Sequence, residues 1–204
     1  MRIPLFCLAL VCIPAVQFAQ DLPKPATAGG KPLMEALALR RSTRSFSDRE
    51  LPQQVLSNLL WAAWGVNRPA TGQRTAPSAH NRQPIDLYVI TPGGAFLYDA
   101  KAHALARVAE GDLRKLAGRQ DFVYTAPLNL IYVEDTARSS GDAQSAVWSG
   151  VTAGAIAQNV ALFCASEGLG NVVRGWVDPE PLGKALGLKP SQRVILAQTV
   201  GYPK

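Results

Sequence analysis

The chain has 204 residues, with 21 Lys and Arg against 15 Asp and Glu for a formal net charge of +6. Hydrophobic residues make up 48% and charged residues 18%, which supplies a sizeable core and excludes wholesale disorder. The basic residues are scattered and no basic run is interleaved with aromatics, so a nucleic-acid partner is not expected.

Residues 1–20 read as a secretory signal peptide. Arg2 gives the positive start, Ile3 to Val16 is almost wholly apolar, and Ala15 and Ala19 supply small residues near a cut at Ala19 or Gln20. Two prolines and a short apolar run fall below bilayer length, so no stable membrane span is expected after cleavage. The mature protein is then exported, periplasmic or secreted, and keeps Cys164 alone of three cysteines, which rules out an intrachain disulfide.

Residues 21–32, rich in Pro and Gly, read as an extended N-terminal arm ahead of a single domain over 33–204. Leu33, Leu37 and Ala38 mark a short helix ending near Arg40 and Arg41. A second helix begins at Pro52, carries Val55, Leu56, Leu59, Leu60 and Ala63 on one stripe and stops at Gly65. A long polar loop follows from Val66 to Pro84. Ile85 to Ile90 and Ala95 to Tyr98 read as a hairpin around Thr91-Pro92-Gly93-Gly94. Lys101 to Ala117 reads as two short helices broken at Gly111, and Leu128–Val133 and Val194–Val200 as buried strands. The longest helix spans about Ala143 to Glu167. Its Gly150 and Gly154, one turn apart, admit a close neighbour, either a helix of the same chain or a symmetry copy across a dimer axis. Strands and helices do not alternate regularly, which predicts an α+β fold rather than a doubly wound sheet.

Several chemistries lack their residues. There is no phosphate-binding loop of the P-loop kind, and Gly168-Leu169-Gly170 follows a helix and lacks the third glycine of a dinucleotide fingerprint. His80 and His103 have no metal-ligand spacing with Cys164, so no metal is expected. A serine hydrolase built on either histidine stays open only because triads assemble in space.

Three elements remain. Arg40, Arg41, Ser42 and Arg44 set three guanidiniums and a hydroxyl within five residues: an anion site, or an arginine-rich helix end favoured by the macrodipole. Pro77-Ser78-Ala79-His80-Asn81-Arg82-Gln83-Pro84 is a stiff loop able to lie along a flat ring, or a polar turn before a strand. In Asn171-Val172-Val173-Arg174-Gly175-Trp176, Gly175 permits close backbone approach to a ligand.

These motifs, with Glu167-Gly168-Leu169-Gly170 and the terminal Gln198-Thr199-Val200-Gly201-Tyr202-Pro203, occur in an order that resembles the nitroreductase family of FMN-dependent oxidoreductases, including its branch similar to SagB-type dehydrogenases. The resemblance covers about residues 33–203. It implies an α+β fold, a mixed sheet flanked by helices, in an intertwined homodimer with FMN at the subunit interface. By position it implies that Arg40, Ser42 and Arg44, beside Arg41, hold the phosphate and ribityl chain. Pro77, Ser78, Ala79 and Asn81 of the other subunit then lie on the isoalloxazine, with Arg174 and Gly175 beside its reactive nitrogen and Arg174 in an electrostatic role. Many relatives continue past Gly-Tyr-Pro with basic phosphate contacts, and Lys204 is the candidate substitute. Gln120 is the candidate for the pyrimidine edge. The implied function is hydride or electron transfer between a small-molecule donor, NAD(P)H in the family, and a small organic acceptor such as a nitro compound or quinone. Export argues against a cytosolic donor. The alternative is an exported flavin- or small-ligand-binding protein without turnover, which the short C-terminus slightly favours.

Overall fold

A computed structural model describes residues 19–139 and 142–204. The expected leader lies, up to residue 18, outside the described residues. The architecture rests on a seven-stranded sheet in the order β1-β6-β5-β4-β7-β9-β8. In chain order these are β1 (Ala19–Asp21), β4 (Ile85–Thr91), β5 (Gly94–Asp99), β6 (Ala104–Ala109), β7 (Leu128–Asp135), β8 (Gly170–Arg174) and β9 (Gln192–Gly201). A separate ribbon pairs β2 (Val66–Arg68) with β3 (Gln73–Arg74). The helices are α1 (Leu33–Leu39), α2 (Gln53–Trp64), α3 (Asp121–Thr125), α4 (Thr136–Ser139), α5 (Ala143–Ser166) and α6 (Pro179–Ala185).

The α+β expectation holds. Within the sheet every neighbouring pair of described strands is antiparallel, and the parallel contribution to the expected mixed sheet is a single bridge between Ser42 and Asn171. β7 is buried along nearly its whole length, because both faces of the sheet are covered. Period-two alternation sorts its side chains: Leu130 and Tyr132 join Leu87 and Val89 of β4 under α2 and α5, while Ile131 and Val133 join Tyr88 and Ile90 against Leu182 of α6 and Val123 of α3. On α2, Leu59 and Leu60 are fully buried, each contributing up to about 1.5–3 kcal/mol of transfer free energy.

The expected hairpin forms, with Thr91 opposite Gly94 across a two-residue turn. Gly94 has φ 138°, and a Cβ there would press to 2.7 Å from the Ala109 carbonyl oxygen, so only glycine fits. The two helices expected between Lys101 and Ala117 are not present. Instead the Asp99 carboxylate accepts the Lys101 and Ala102 N–H groups, turning the chain back so that β6 pairs with β5. Only a 3-10 turn, Arg114–Leu116, is helical there. Ala104-Leu105-Ala106-Arg107 has good helix-forming residues, but strand pairing on both edges of β6 overrides that weak preference. The arm is strapped to the body rather than free: β1 lies on the outer edge of β6, and Ala26 N–H donates to Asn58 Oδ1 of α2.

Among the described residues α5 alone is long and apolar enough to cross a membrane, yet it is a core helix, burying Ile156, Val160 and Cys164 against the sheet. Its N-terminus is capped by Asp142, whose carboxylate accepts the Ser145 N–H at 2.7 Å.

Candidate functional site

Arg40 to Arg44 leaves α1 and runs along β8. The Thr43 N–H donates to the Asn171 carbonyl at 2.8 Å, and Thr43 packs so closely over Gly170 that a Cβ there would sit 2.8 Å from the threonine methyl. This grip fixes the backbone while leaving Arg40, Arg41, Ser42 and Arg44 exposed, and none of these arginines has an ion-pair partner among the described residues. Arg40 and Arg41 border a cleft of about 410 Å³ with Lys31, Thr43 and Asn171. The C-terminus lies alongside: Pro203 bridges Phe46 and the Lys204 N–H donates to the Ser45 carbonyl, which sets the Lys204 backbone beside the residue that follows Arg44. Free guanidiniums, a hydroxyl and a lysine on a fixed backbone suit an oxyanion such as a phosphate.

The 77–84 segment is stiff for a reason its prolines alone do not supply. His80, Asn81 and Gln83 all have left-handed φ, at 52°, 54° and 49°. Gln83 holds them there, its N–H donating to Ser78 Oγ and its amide donating to the Gly72 carbonyl and to Asn81 Oδ1. Its own Oε1 accepts from Arg74 Nε at 2.6 Å, and Arg74 stacks over the Trp64 ring at 4.6 Å while donating to the Trp64 carbonyl. Burial lowers the Arg74 pKa from its ordinary value. The expected polar loop thus contains the β2–β3 ribbon as its scaffold, and Gln83 of the 77–84 motif, together with Arg74, which belongs to none of the sequence motifs, organises Ser78, Ala79 and Asn81. Strained backbone that is over-determined in this way is a feature of ligand-holding loops.

Two cavities flank the loop, one of about 250 Å³ between Ala79, His80 and Arg82 and the Asp142–Thr152 stretch of α5, the other between Pro77 to His80 and Trp148, Val151 and Thr152. Neither shares a residue with the arginine cleft, so among the described residues the arginine cluster and the 77–84 loop border different cavities. Beside the loop, α5 exposes Val147 (59%), Trp148 (48%) and Val151 (53%), and nothing lies within 4 Å of where a Cβ on Gly150 or Gly154 would stand. Among the described residues no helix packs on this stripe.

Arg174 requires a correction. Its side chain is turned into the interior and is 4% exposed, with Nε donating to Thr199 Oγ1, Nη1 to the Ala117 carbonyl and Nη2 to Asn129 Oδ1. Burial lowers its pKa to about 10, still charged at neutral pH. All three partners are neutral, and the guanidinium ties β8 to β7, β9 and the Ala117–Gln120 turn; it does not face an open ring site. Gly175 remains exposed with open space above it. In that turn the Gln120 Oε1 is buried without a hydrogen-bond partner.

The hydrolase alternative is closed by burial. His103 Nε2 does lie 2.8 Å from Ser57 Oγ, but Ser57 is 0% exposed and its hydroxyl is hydrogen-bonded to the Pro23 carbonyl. His80 is exposed and makes no such pair.

The profile of the nitroreductase family matches residues 37–202, a span that begins inside α1 and ends at Tyr202, taking in the arginine segment, the 77–84 loop and β8. The chain belongs to the nitroreductase family. A Methanocaldococcus jannaschii protein carrying a nitroreductase name is 33% identical over 156 residues, 70% of this chain and 78% of its own length. A crystal structure from Ralstonia eutropha, also given a nitroreductase name, is 44% identical with a TM-score of 0.86, covering 91% of this chain and 90% of that one. The NADPH:FMN oxidoreductase of Vibrio harveyi, solved with NAD+, shares the fold at a TM-score of 0.63 and 20% identity, covering 84% of this chain and 69% of that one. As a nitroreductase the chain is an oxidoreductase of the flavin-using kind.

Proposed function

We propose that this nitroreductase is an FMN-dependent oxidoreductase acting as a homodimer, passing hydride or electrons from a donor to a small organic acceptor such as a nitro compound or quinone. The observation that carries the reading is the separation within one chain of two prepared half-sites. Arg40 and Arg41 line the anion half, with exposed Ser42, Arg44 and Lys204 on the adjoining backbone, and Pro77, Ser78 and Ala79 line the flat, strained half beside the exposed α5 stripe, with Asn81 in the same loop. A second copy docked on Val147, Gly150, Val151 and Gly154 supplies each half to the other. Bound FMN would contribute reversible two-electron chemistry. The chain's own residues bind and orient: guanidiniums fix the phosphate, the Ala79 methyl and the Asn81 amide border the ring, and open Gly175 lets backbone approach its edge. The finer placement beside the SagB-type dehydrogenases rests on the sequence resemblance.

Native purification with cofactor analysis tests this. The expected result is yellow protein of dimer mass releasing one FMN per chain and turning over quinones or nitroaromatics. Colourless protein that takes up no added FMN overturns it, and tight FMN with no turnover on a broad acceptor panel leaves a flavin-binding protein instead. We also propose export by residues 1–20, supported by Arg2, the apolar Ile3–Val16 run and Ala19. An exported enzyme draws on a donor other than cytosolic NADH or NADPH; anaerobic flavin bleaching by either nucleotide at a rate matching turnover would overturn that choice.

A further inference from the structure

Asn171, the second residue of β8, is 5% exposed, and what its side chain offers to the outside is decided from the inside. The Ala157 carbonyl of α5 can only accept, so the Gln198 atom that reaches it at 3.2 Å is the amide nitrogen Nε2. Gln198 Oε1 then faces Tyr132 of β7, whose hydroxyl donates to it at 2.5 Å. Burial raises the Tyr132 pKa well above 10, which keeps that donating proton in place. The same Gln198 Nε2 lies 2.9 Å from the Asn171 amide, which must present its oxygen, Oδ1. Tyr132 and Gln198 are both 0% exposed, so water replaces none of these bonds. The Asn171 amide is therefore locked in one orientation, with Oδ1 spent on Gln198 and Nδ2 left over.

That NH2 group has no hydrogen-bond partner among the described residues, and unlike the orphaned Gln120 Oε1 it is not sealed from solvent. The open space that Asn171 borders is the cleft of about 410 Å³ that also takes in Lys31, Arg40 and Arg41. Lys31 is engaged by Glu35, whereas Arg40 and Arg41 have no ion-pair partner among the described residues, and no acidic side chain lines the cleft. The C-terminal end of α5 also reaches it, but the Phe163 and Cys164 carbonyls there accept the Glu167 and Leu169 N–H groups, which covers part of the negative helix end.

The two kinds of donor do different work. Exposed guanidiniums on long stems attract an oxyanion and move with it, while an amide locked from behind sets where one of its oxygens stops. We propose that Asn171 is a binding residue for a phosphate group in the Arg40–Arg41 cleft and that Gln198 is its positioning residue. The phosphate is carried by FMN, in which case the inference rests on the reading above, or arrives as free phosphate.

Asn171→Asp reverses the donor without removing the inner contact: one carboxylate oxygen still accepts from Gln198 Nε2, and the other sets an acceptor and a negative charge where the NH2 group stood. FMN and riboflavin are titrated into the full-length apoprotein by fluorescence, and inorganic phosphate is followed by NMR on the Asn171 side-chain amide of the parent, which needs no variant. Phosphate and FMN should both move the Asn171 NH2 resonances. Asn171→Ala should weaken FMN by about 10- to 150-fold, Asn171→Asp by more, and neither should change riboflavin affinity. Gln198→Leu should weaken FMN in the parent background and add nothing in Asn171→Ala, because its effect passes through that amide.

Asn171 resonances that neither FMN nor phosphate moves overturn the proposal. Equal FMN affinity in the parent and Asn171→Asp, or a loss that riboflavin shares, overturns it while leaving the FMN reading in place. Phosphate that moves the Asn171 signals in a protein that takes up no FMN keeps the site and overturns the FMN reading instead. A Gln198→Leu loss that is undiminished in Asn171→Ala overturns the positioning role of Gln198.

Discussion

A methyl group on Gly118 would collide with the Arg174 guanidinium: the turn after the Arg114–Leu116 stretch is shaped around that buried cation, which also fills the acceptors of Ala117, Asn129 and Thr199. Gly118→Ala should therefore destabilise by overpacking, by about 1–3 kcal/mol. Arg174→Met keeps an apolar stem but leaves the three acceptors without their guanidinium donors, and should cost about 3 kcal/mol or more. Urea unfolding at pH 7 checks both, and an Arg174→Met protein as stable as the parent would show that the guanidinium does not hold these strands.

Arg44 gives the opposite expectation. It is exposed and unpaired, so Arg44→Ala should leave the melting temperature of the cofactor-free protein within a degree or two. If it holds a phosphate, loss of a charged hydrogen bond worth about 1.5–3 kcal/mol weakens FMN binding by about 10- to 150-fold. Fluorescence titration of FMN into the apoprotein reads this directly; unchanged affinity removes Arg44 from the site.

Gln83 is where stability and the site are coupled. Gln83→Ala removes the acceptor of Arg74 Nε and the donors to Gly72 and Asn81, freeing three left-handed residues to relax. A loss of about 1–2 kcal/mol in unfolding free energy is expected. A larger fractional fall in FMN affinity than in stability, measured by titration at a temperature where the variant is folded, would mark the loop as preorganised for its ligand.

The elements legible in the sequence were those whose signal is local. The α2 stripe, the Thr91–Gly94 turn and the apolar run of β7 each carry their own periodicity or turn chemistry, and α5 its length. β6 reads as helix because Ala, Leu and Arg favour helix locally, whereas its partners β5 and β1 lie outside any short window. β8 was hidden as Asn-Val-Val-Arg after a glycine turn and is a strand because β9 and the Thr43 N–H claim its backbone. Arg40 to Arg44 stand out in the sequence because their anion-binding chemistry is carried by the residue types themselves. The inward turn of Arg174 could not, since it depends on Asn129 and Thr199, far away in sequence, and on the missing side chain at Gly118.

The Glu134 carboxylate gives a pH prediction. It is 0% exposed on β7, accepting from Ser139 Oγ at 2.8 Å and from Arg193 Nε at 2.6 Å. Burial alone would raise its pKa, but the Ser149 hydroxyl nearby and the Ser139 and Arg193 donors together hold it below the ordinary carboxylate value of 4.5. Ser149 Oγ itself completes no well-formed hydrogen bond, so Ser139 and Arg193 are the contacts that matter. A carboxylate with a depressed folded pKa stabilises the fold fully above its unfolded value, and that contribution is lost as pH falls from about 4.5 through the lower folded value. Arg193→Ala removes the charged donor but from a residue whose side chain is 52% exposed, so the loss at pH 7 should stay near the low end for a charged hydrogen bond, about 1.5 kcal/mol. The pH series separates this from a general packing loss. Urea midpoints of the parent and of Arg193→Ala should differ at pH 7 and converge as the pH is lowered below 4, because protonated Glu134 no longer distinguishes the two. A difference that stays constant down to pH 3 would mean that Arg193 supports β9 by its stem alone and that Glu134 does not depend on it for its charge.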